Sequence, residues 1–362
     1  MLRNLRLVLL SLLVACGTTS ASLGDELPEF QRCVKQCDVL TCNGRSKYPE
    51  VSEKELHMWE DQQLKSGAFE EMPLSLDLWL LGWQCVPNCD YQCQRLVTAN
   101  RVKRGLEVYQ FHGKWPFLRV FGIQELFSTL FSIGNWIPHY QGALLIWKRY
   151  LKEKKTGNDE FANLYWAYLV IALVAMCAWF FSTIFHLRDT WGREQLDYFF
   201  AGATVISGFY GISTRVFKLY LAKNDSKRKT LGLVTLVLYF AHVTRLKIDW
   251  SYTYNMQANV FFGLIQNVLW IYHSISCFQG SRRSSSIVSD LSNKDANWTL
   301  IPLLLVGSVS AGMSFELFDF APLFDLIDAH ALWHFVTIWP AFYWYRYMVR
   351  DVEEGLKDRK YE

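Results

Sequence analysis

No glycine-rich phosphate loop of the Walker or Rossmann type occurs in this chain, which removes the usual nucleotide cradles. Neither sign of charge dominates. The formal net charge is only +3, and the basic residues fall in short clusters between apolar runs, which argues against a nucleic-acid surface and for membrane loops. Charge as a whole is scarce: 20% of residues are charged against 51% hydrophobic and 16% aromatic, too apolar for an ordinary soluble enzyme of 362 residues. Paired CxxC spacing is missing as well. Six of the nine cysteines (Cys33, Cys37, Cys42, Cys85, Cys89, Cys93) lie in one 61-residue window, with three or four residues between close neighbours. A zinc module is the competing reading, but behind a secretory leader this pattern reads as three disulfides, with 15 possible connectivities.

That leader is residues 1–21. Arg3 and Arg6 form a basic n-region, Leu7 to Ala15 an apolar h-region too short to span a bilayer, and Thr19-Ser-Ala21 a small-residue cleavage site. An uncleaved anchor is the alternative. Residues 22–116 are polar and cysteine-rich, with Trp59, Trp79, Trp83 and Trp115, and read as a small disulfide-stapled lumenal domain. It ends in Phe111-His-Gly-Lys-Trp-Pro-Phe117, whose aromatics suit a headgroup region.

Residues 117–349 hold seven apolar runs of helix-spanning length, near 120–147, 163–187, 196–220, 229–247, 257–278, 299–317 and 329–349. The expected fold is therefore an all-α polytopic membrane protein, a seven-transmembrane helix bundle with a disulfide-rich N-terminal lumenal domain. The first run contains Gln124, Glu125, Asn135, Pro138 and His139, so it must face protein and not lipid. Basic residues fix the orientation. Eighteen of them follow runs one, three, five and seven, whereas the opposite loops hold only Arg188, Arg193, Arg245 and Lys247. The positive-inside rule places the eighteen in the cytosol. An odd number of spans then puts residues 22–116 in the lumen, as the leader independently requires. The cytosolic tail, 350–362, carries Arg359-Lys360 near its end, a dilysine-type retrieval signal or an ordinary basic tail. Sequons at Asn224 and Asn297 fall on the cytosolic side and should carry no glycan.

Ionisable residues inside membrane helices are costly and suggest function. His330 and His334 are four apart, so they share a helix face, as do Ser182 and His186. Run two ends at the lumen with Ser182 and His186; run three starts there with Asp197; run seven starts there with His330 and His334. Three histidines can supply the protein ligands of a catalytic zinc site, leaving a position open where the ion lowers the pKa of water to about 7. Asp197 is then a general base or an acceptor that orients water, and Ser182 a donor to a developing oxyanion. The alternative is Ser182 as nucleophile with His186 as base. It leaves His330 and His334 idle, and no strand–turn–helix elbow surrounds the serine. His242 and His273 read as satisfied core histidines, Arg188 and Asp189 as a local ion pair with a place for Asp189 in the site's outer ring as the alternative, and Glu125 and Glu316 as membrane-edge acids, with a role at the site as the alternative.

Gln110-Phe-His-Gly-Lys-Trp-Pro-Phe117, Gln124-Glu125, Ser182-Thr-Ile-Phe-His186-Leu-Arg-Asp189, Asp197-Tyr198-Phe199, Asp249-Trp250-Ser-Tyr-Thr-Tyr-Asn255, Glu316-Leu-Phe-Asp-Phe320 and Asp328-Ala-His330-Ala-Leu-Trp-His334 together resemble the Per1-like family of post-GPI-attachment phospholipases, the budding-yeast branch in particular. The family belongs to the CREST superfamily of seven-helix membrane hydrolases, with the alkaline ceramidases and adiponectin receptors. Its metal pattern is matched here by Ser182, His186, Asp197, His330 and His334. The resemblance implies a zinc-dependent enzyme of the endoplasmic reticulum membrane that removes the sn-2 acyl chain from the lipid of GPI-anchored proteins, giving lyso-GPI and a fatty acid. Its implied partners are GPI-anchored proteins and membrane lipids, and no nucleic acid. A ceramide-type amidase, which needs the same metal site, and a chaperone or receptor for GPI-anchored proteins are the rival expectations.

Overall fold

A computed structural model describes residues 22–42, 69–70, 72–287 and 296–357. The leader, Cys16, Trp59, Lys294 and the Arg359-Lys360 tail signal lie outside the described residues. Among the described residues all regular structure is helical, and pairing between extended segments is limited to three isolated bridges.

Helices α1 (Pro28–Thr41) and α3 (Cys85–Lys103) lie side by side, with short α2 (Leu76–Leu80) before α3. Cys33, Cys37, Cys85, Cys89 and Cys93 repeat every four residues, so each set lines one helix face, and Cys42 sits at the C-cap of α1. The connectivity left open by the spacing is a nested ladder: Cys33–Cys93, Cys37–Cys89 and Cys42–Cys85. These cysteines, with Phe30, Phe69, Val97 and Phe111, form a small buried core of their own. Its size explains the cross-links, since so little apolar mass folds poorly without them.

Seven long helices follow: α4 (Leu126–Lys155), α5 (Asp159–Leu187), α6 (Trp191–Val216), α7 (Asp225–Ile248), α8 (Tyr252–Ile287), α9 (Ile301–Leu317) and α10 (Ala329–Val352). Each overlaps one apolar run, with boundaries shifted by up to nine residues. Among the described residues four stretches are long and apolar enough to cross a membrane: Asp159–Leu187, Ala222–Ile248, Tyr252–Ser281 and Ala296–Leu317. The chain is thus a multi-pass membrane protein. Helices α4, α6 and α10 fall short of that apolarity because they carry the buried polar residues: Ser128, Ser132 and Asn135; Ser213 and Arg215; His334 and Asp351. Those polar side chains are buried within the protein, away from its surface.

Helix α4 packs on α5 and α10, and α5 on α6. The α4–α10 approach is close because Gly142 has no side chain. A Cβ there would come within 2.2 Å of the Tyr345 ring. Below the site, Tyr165, Tyr168, Trp270, Tyr345, Tyr347 and Met348 make the main apolar core. A buried Arg215–Asp351 pair joins α6 to α10 there, through contacts of 2.5 and 2.9 Å.

Three tight turns shape the face above α4 and α10, two with two-residue loops and one, 324–326, with three. His112-Gly113, Phe121-Gly122 and Phe324-Asp325 all have positive φ, the backbone of type I′ turns. They close the bridges Phe111–Lys114, Val120–Ile123 and Leu323–Ile327. The strap from 109 to 125 is tied down on both sides. Arg119 donates to Asn88 at 2.7 Å and lies over the Tyr91 ring, and Trp83 Nε1 donates to the Gly122 carbonyl at 2.9 Å. Gln110 and Trp115 both donate to the Asp319 carboxylate, at 2.6 and 2.9 Å.

Candidate metal centre

The site begins with how two chain ends meet. The last carbonyls of α5 have no partner within their own helix. Here the extended backbone before α4 supplies it: Gln124 N donates to Leu187 O at 3.0 Å, and Glu125 N to His186 O at 3.1 Å. That pairing sets the Glu125 side chain beside the His186 ring. On the other side, α10 starts at a true N-cap, where the Asp328 carboxylate accepts from Ala331 N at 2.8 Å. This fixes the first turn of α10, and so the face that carries His330 and His334.

The three expected histidines converge. Ring centroids lie 5.2 Å apart for His186–His330, 5.0 Å for His186–His334 and 4.4 Å for His330–His334. One ring nitrogen from each falls within 4.8 Å of the others. Every Nδ1 is engaged. That of His186 meets Glu125 Oε2 at 2.7 Å, and that of His330 meets Glu316 Oε2 at 2.7 Å. That of His334 meets Ser132 Oγ at 3.0 Å. A carboxylate can only accept, so the Nδ1 atoms of His186 and His330 carry the protons and their Nε2 atoms carry the lone pairs. His186 Nε2 is buried with no hydrogen-bond partner among the described residues. A buried nitrogen lone pair without a donor needs an explanation, and a cation is a sufficient one. Ligand histidines backed by carboxylates are the usual arrangement around zinc. The residues present therefore fit the ion that the sequence implied.

Ser132 was not foreseen, and it is central. Its hydroxyl donates to the Ser128 carbonyl at 2.7 Å. Its oxygen is then left to accept from His334 Nδ1 and from Ser182 Oγ, the latter at 3.0 Å. Asn135 Nδ2 donates to the His334 carbonyl at 2.7 Å. A signal for these residues was present. Glu125, Ser128, Ser132, Asn135 and His139 recur every three or four residues along an otherwise apolar segment, a polar stripe at helical period.

Ser182 is buried, and its polar neighbour is Ser132, not His186. The serine–histidine pair considered as the alternative is therefore not formed, and the His186 Nδ1 that could have served as base is spent on Glu125. Asp197 opens α6 with its carboxylate within electrostatic range of His186, His330 and Lys114, and it makes no side-chain hydrogen bond among the described residues. Of the expected site residues, the three histidines are thus brought into mutual contact, Ser182 joins them through Ser132, and Asp197 stands beside them.

Both acids named as candidates are in the site's outer ring. Glu316 also accepts from the Tyr252 hydroxyl at 3.0 Å. Lys114, in the strap, was missed: its Nζ lies 2.6 Å from Glu125 Oε1 and 3.2 Å from Asp189 Oδ2. Burial works against its charge, but the two carboxylates prevail and hold the ammonium above the ordinary lysine range. Asp189 therefore reaches the site's outer ring through Lys114, and the expected Arg188–Asp189 ion pair is not formed. The Arg188 guanidinium lies over the Trp83 ring, 5.3 Å from its centroid. His273 is buried and contacts Asp351 at 3.3 Å, as a satisfied core histidine should. His242 differs. Its Nε2 is buried without a partner among the described residues, beside a cavity of about 200 Å³ between α6, α7 and α8.

Glu125 is the residue whose loss should loosen the site most without removing a ligand. Glu125→Ala frees the His186 ring and leaves the Lys114 ammonium with Asp189 alone. Metal affinity is expected to fall roughly 10- to 100-fold, the usual cost of losing an outer-sphere carboxylate. Competition of the purified variant against a graded series of chelators measures it.

A profile of the Per1-like family matches residues 75–352. The chain is 39% identical to Protein PER1 of Saccharomyces cerevisiae over 355 residues, covering 95% of this chain and 96% of that protein. It is 37% identical to the Protein PER1 homolog of Schizosaccharomyces pombe, covering 93% and 89%. It is 31% identical to the human protein named GPI-specific phospholipase A2-like PGAP3, covering 92% and 89%. With a profile match that takes in the strap, every helix from α2 to α10 and all five expected site residues, this chain belongs to the Per1-like family.

Proposed function

We propose that the protein is a metal-dependent hydrolase that removes the sn-2 acyl chain from the lipid of GPI-anchored proteins, leaving lyso-GPI and a fatty acid. The relatives named GPI-specific phospholipase A2-like support the substrate class. The observation that carries the chemistry is the set of three histidines, each with Nδ1 engaged and one nitrogen within 4.8 Å of the others.

A zinc ion held by His186, His330 and His334 would supply a Lewis acid at the ester carbonyl and lower the pKa of water to about 7. The remaining roles belong to the chain. Asp197 accepts a proton from the attacking water as the new C–O bond forms at the sn-2 carbonyl carbon. It returns that proton to the glycerol oxygen as the ester C–O bond breaks. Ser182, whose hydroxyl now points to Ser132, can rotate to donate to the carbonyl oxygen as charge develops there. Glu125 and Glu316 hold two of the histidine rings in the tautomer with a free Nε2, and Ser132 does the same for His334. Lys114 keeps Glu125 ionised.

In the proposed arrangement all seven long helices span the membrane of the endoplasmic reticulum. Residues 22–116 form the cysteine-rich lumenal domain behind a signal peptide, and the C-terminus is cytosolic. The site then lies near the lumenal boundary, at the depth of a lipid ester, and Asn224 and Asn297 carry no glycan.

Purified protein in a bilayer, given a diacyl GPI-anchored substrate, is expected to release one fatty acid and lyso-GPI. A strong chelator should abolish release, and added zinc should restore it, whereas a serine-acylating reagent should leave it intact. Cells lacking the protein should accumulate diacyl GPI; altered ceramide alone would favour the amidase and defeat this reading.

A further inference from the structure

Two of the tight turns carry the wrong residues for their shape. Type I′ turns favour asparagine, aspartate and glycine, because both central residues need positive φ. Phe121, at φ 52, and Phe324, at φ 56, occupy such positions, and a bulky side chain there is unfavourable. Neither ring is repaid by packing, since Phe324 is 89% exposed and Phe121 83%. Short α2 lies against the Phe121-Gly122 turn, where a Cβ on Gly122 would meet Leu81 at 3.0 Å, and α2 exposes Leu76 and Trp79 by 70% and 67%. The patch therefore sits on two turns and on short α2, outside the long helices.

Its position names its occupant. Phe324 follows α9, a candidate span that ends at Leu317, and exposed Leu317 and Phe318 continue the lipid-facing surface toward the turn. Phe121 lies five residues before α4. The turns are joined to each other: Leu118 N donates to Asp325 O at 2.8 Å, and Arg95 bonds the Pro116 carbonyl and, at 2.7 Å, Asp325 Oδ2. Each leads directly to the site, Phe121 to Glu125 and Phe324 to His330. We propose that Phe121 and Phe324, with Leu76 and Trp79 of α2, form a rim that inserts into the leaflet on the site's own side of the membrane, at the headgroup boundary. Hydrocarbon there solvates rings that the turn geometry alone would not retain. Insertion would hold the metal centre at a fixed depth and seat it on bilayer-embedded substrate.

The test places a spin label at position 121 or 324, through Phe121→Cys or Phe324→Cys in a Cys16→Ser, Cys177→Ser, Cys277→Ser background that keeps the three disulfides. Lys103→Cys is the water-exposed control. In phosphatidylcholine nanodiscs, labels at 121 and 324 should collide more with oxygen than with a water-soluble nickel chelate, and the control should do the reverse. Labels at 121 and 324 that behave like the control would overturn the proposal. So would labels immobilised by a second copy of the chain.

A second measurement rests on the hydrolase reading above. Phe121→Asn with Phe324→Asn, in the protein with all native cysteines, places a residue suited to positive φ at both turns, so thermal stability and metal content should not fall. KM for bilayer-embedded substrate should rise at least roughly tenfold with kcat unchanged, since burial of even one of the two aromatics accounts for that factor. An unchanged KM would overturn the rim's part in substrate capture. If even the wild type hydrolyses no GPI lipid, the hydrolase reading fails, and the collision data still decide the rim.

Discussion

His334→Ala is expected to reduce hydrolysis by at least roughly a thousandfold, since the metal contributes several kcal/mol of transition-state stabilisation and each 1.36 kcal/mol is a factor of ten. The histidine contributes in two ways. It offers one of three nitrogens to the ion, and through Ser132 it shares a hydrogen-bond chain with Ser182. Alanine removes both and leaves a hole beside Trp179, whose ring packs edge-on against His334 at 5.1 Å. Some loss of stability will follow from that hole, so His334→Gln is the companion variant. It fills the space and still fails to complete the ligand set. Steady-state hydrolysis of GPI lipid by both variants in nanodiscs gives the number. If the protein were instead a chaperone or receptor with structural histidines, cells carrying His334→Gln would process GPI-anchored proteins normally.

The second large effect separates chemistry from metal binding. Asp197→Asn should keep the ion and lower kcat by roughly 10²- to 10⁴-fold, the range for losing a positioned general base. The change is nearly isosteric, and Asp197 bonds to no other side chain among the described residues, so the fold has little to lose. Asparagine cannot accept the water's proton. A variant that loses metal and activity together would instead make Asp197 part of the ion's immediate surroundings. Normal activity with metal retained would remove it from the mechanism.

The distribution of what could be read in advance follows from physical range. His186, His330 and His334 were readable because four-residue spacing puts side chains on one helix face, and charge bias puts particular helix ends on the same side. Both rules act within one element or across the whole bilayer. Glu125 and Glu316 were visible only as misplaced acids, because their partners lie 61 and 14 residues away. Lys114 and Asp189 meet across a strap without periodicity, so sequence neighbours suggested Arg188 as the partner of Asp189 and tertiary packing chose Lys114. The turns at Phe121 and Phe324 could not be anticipated from turn chemistry, because they break it. The disulfide ladder depends on α1 and α3 being helices and on their running antiparallel, and the second is tertiary; the spacing alone allowed 15 pairings. Among the described residues apolarity marks four helices as long and apolar enough to cross a membrane, while α4, α6 and α10 carry buried polar residues of the site and of the Arg215–Asp351 pair.

The proposed chemistry requires a metal ion held by three histidines. Metal analysis of the purified protein beside His186→Ala tests this most directly. About one zinc per chain in the wild type and almost none in the variant is the predicted result. The same metal content in both proteins would contradict it.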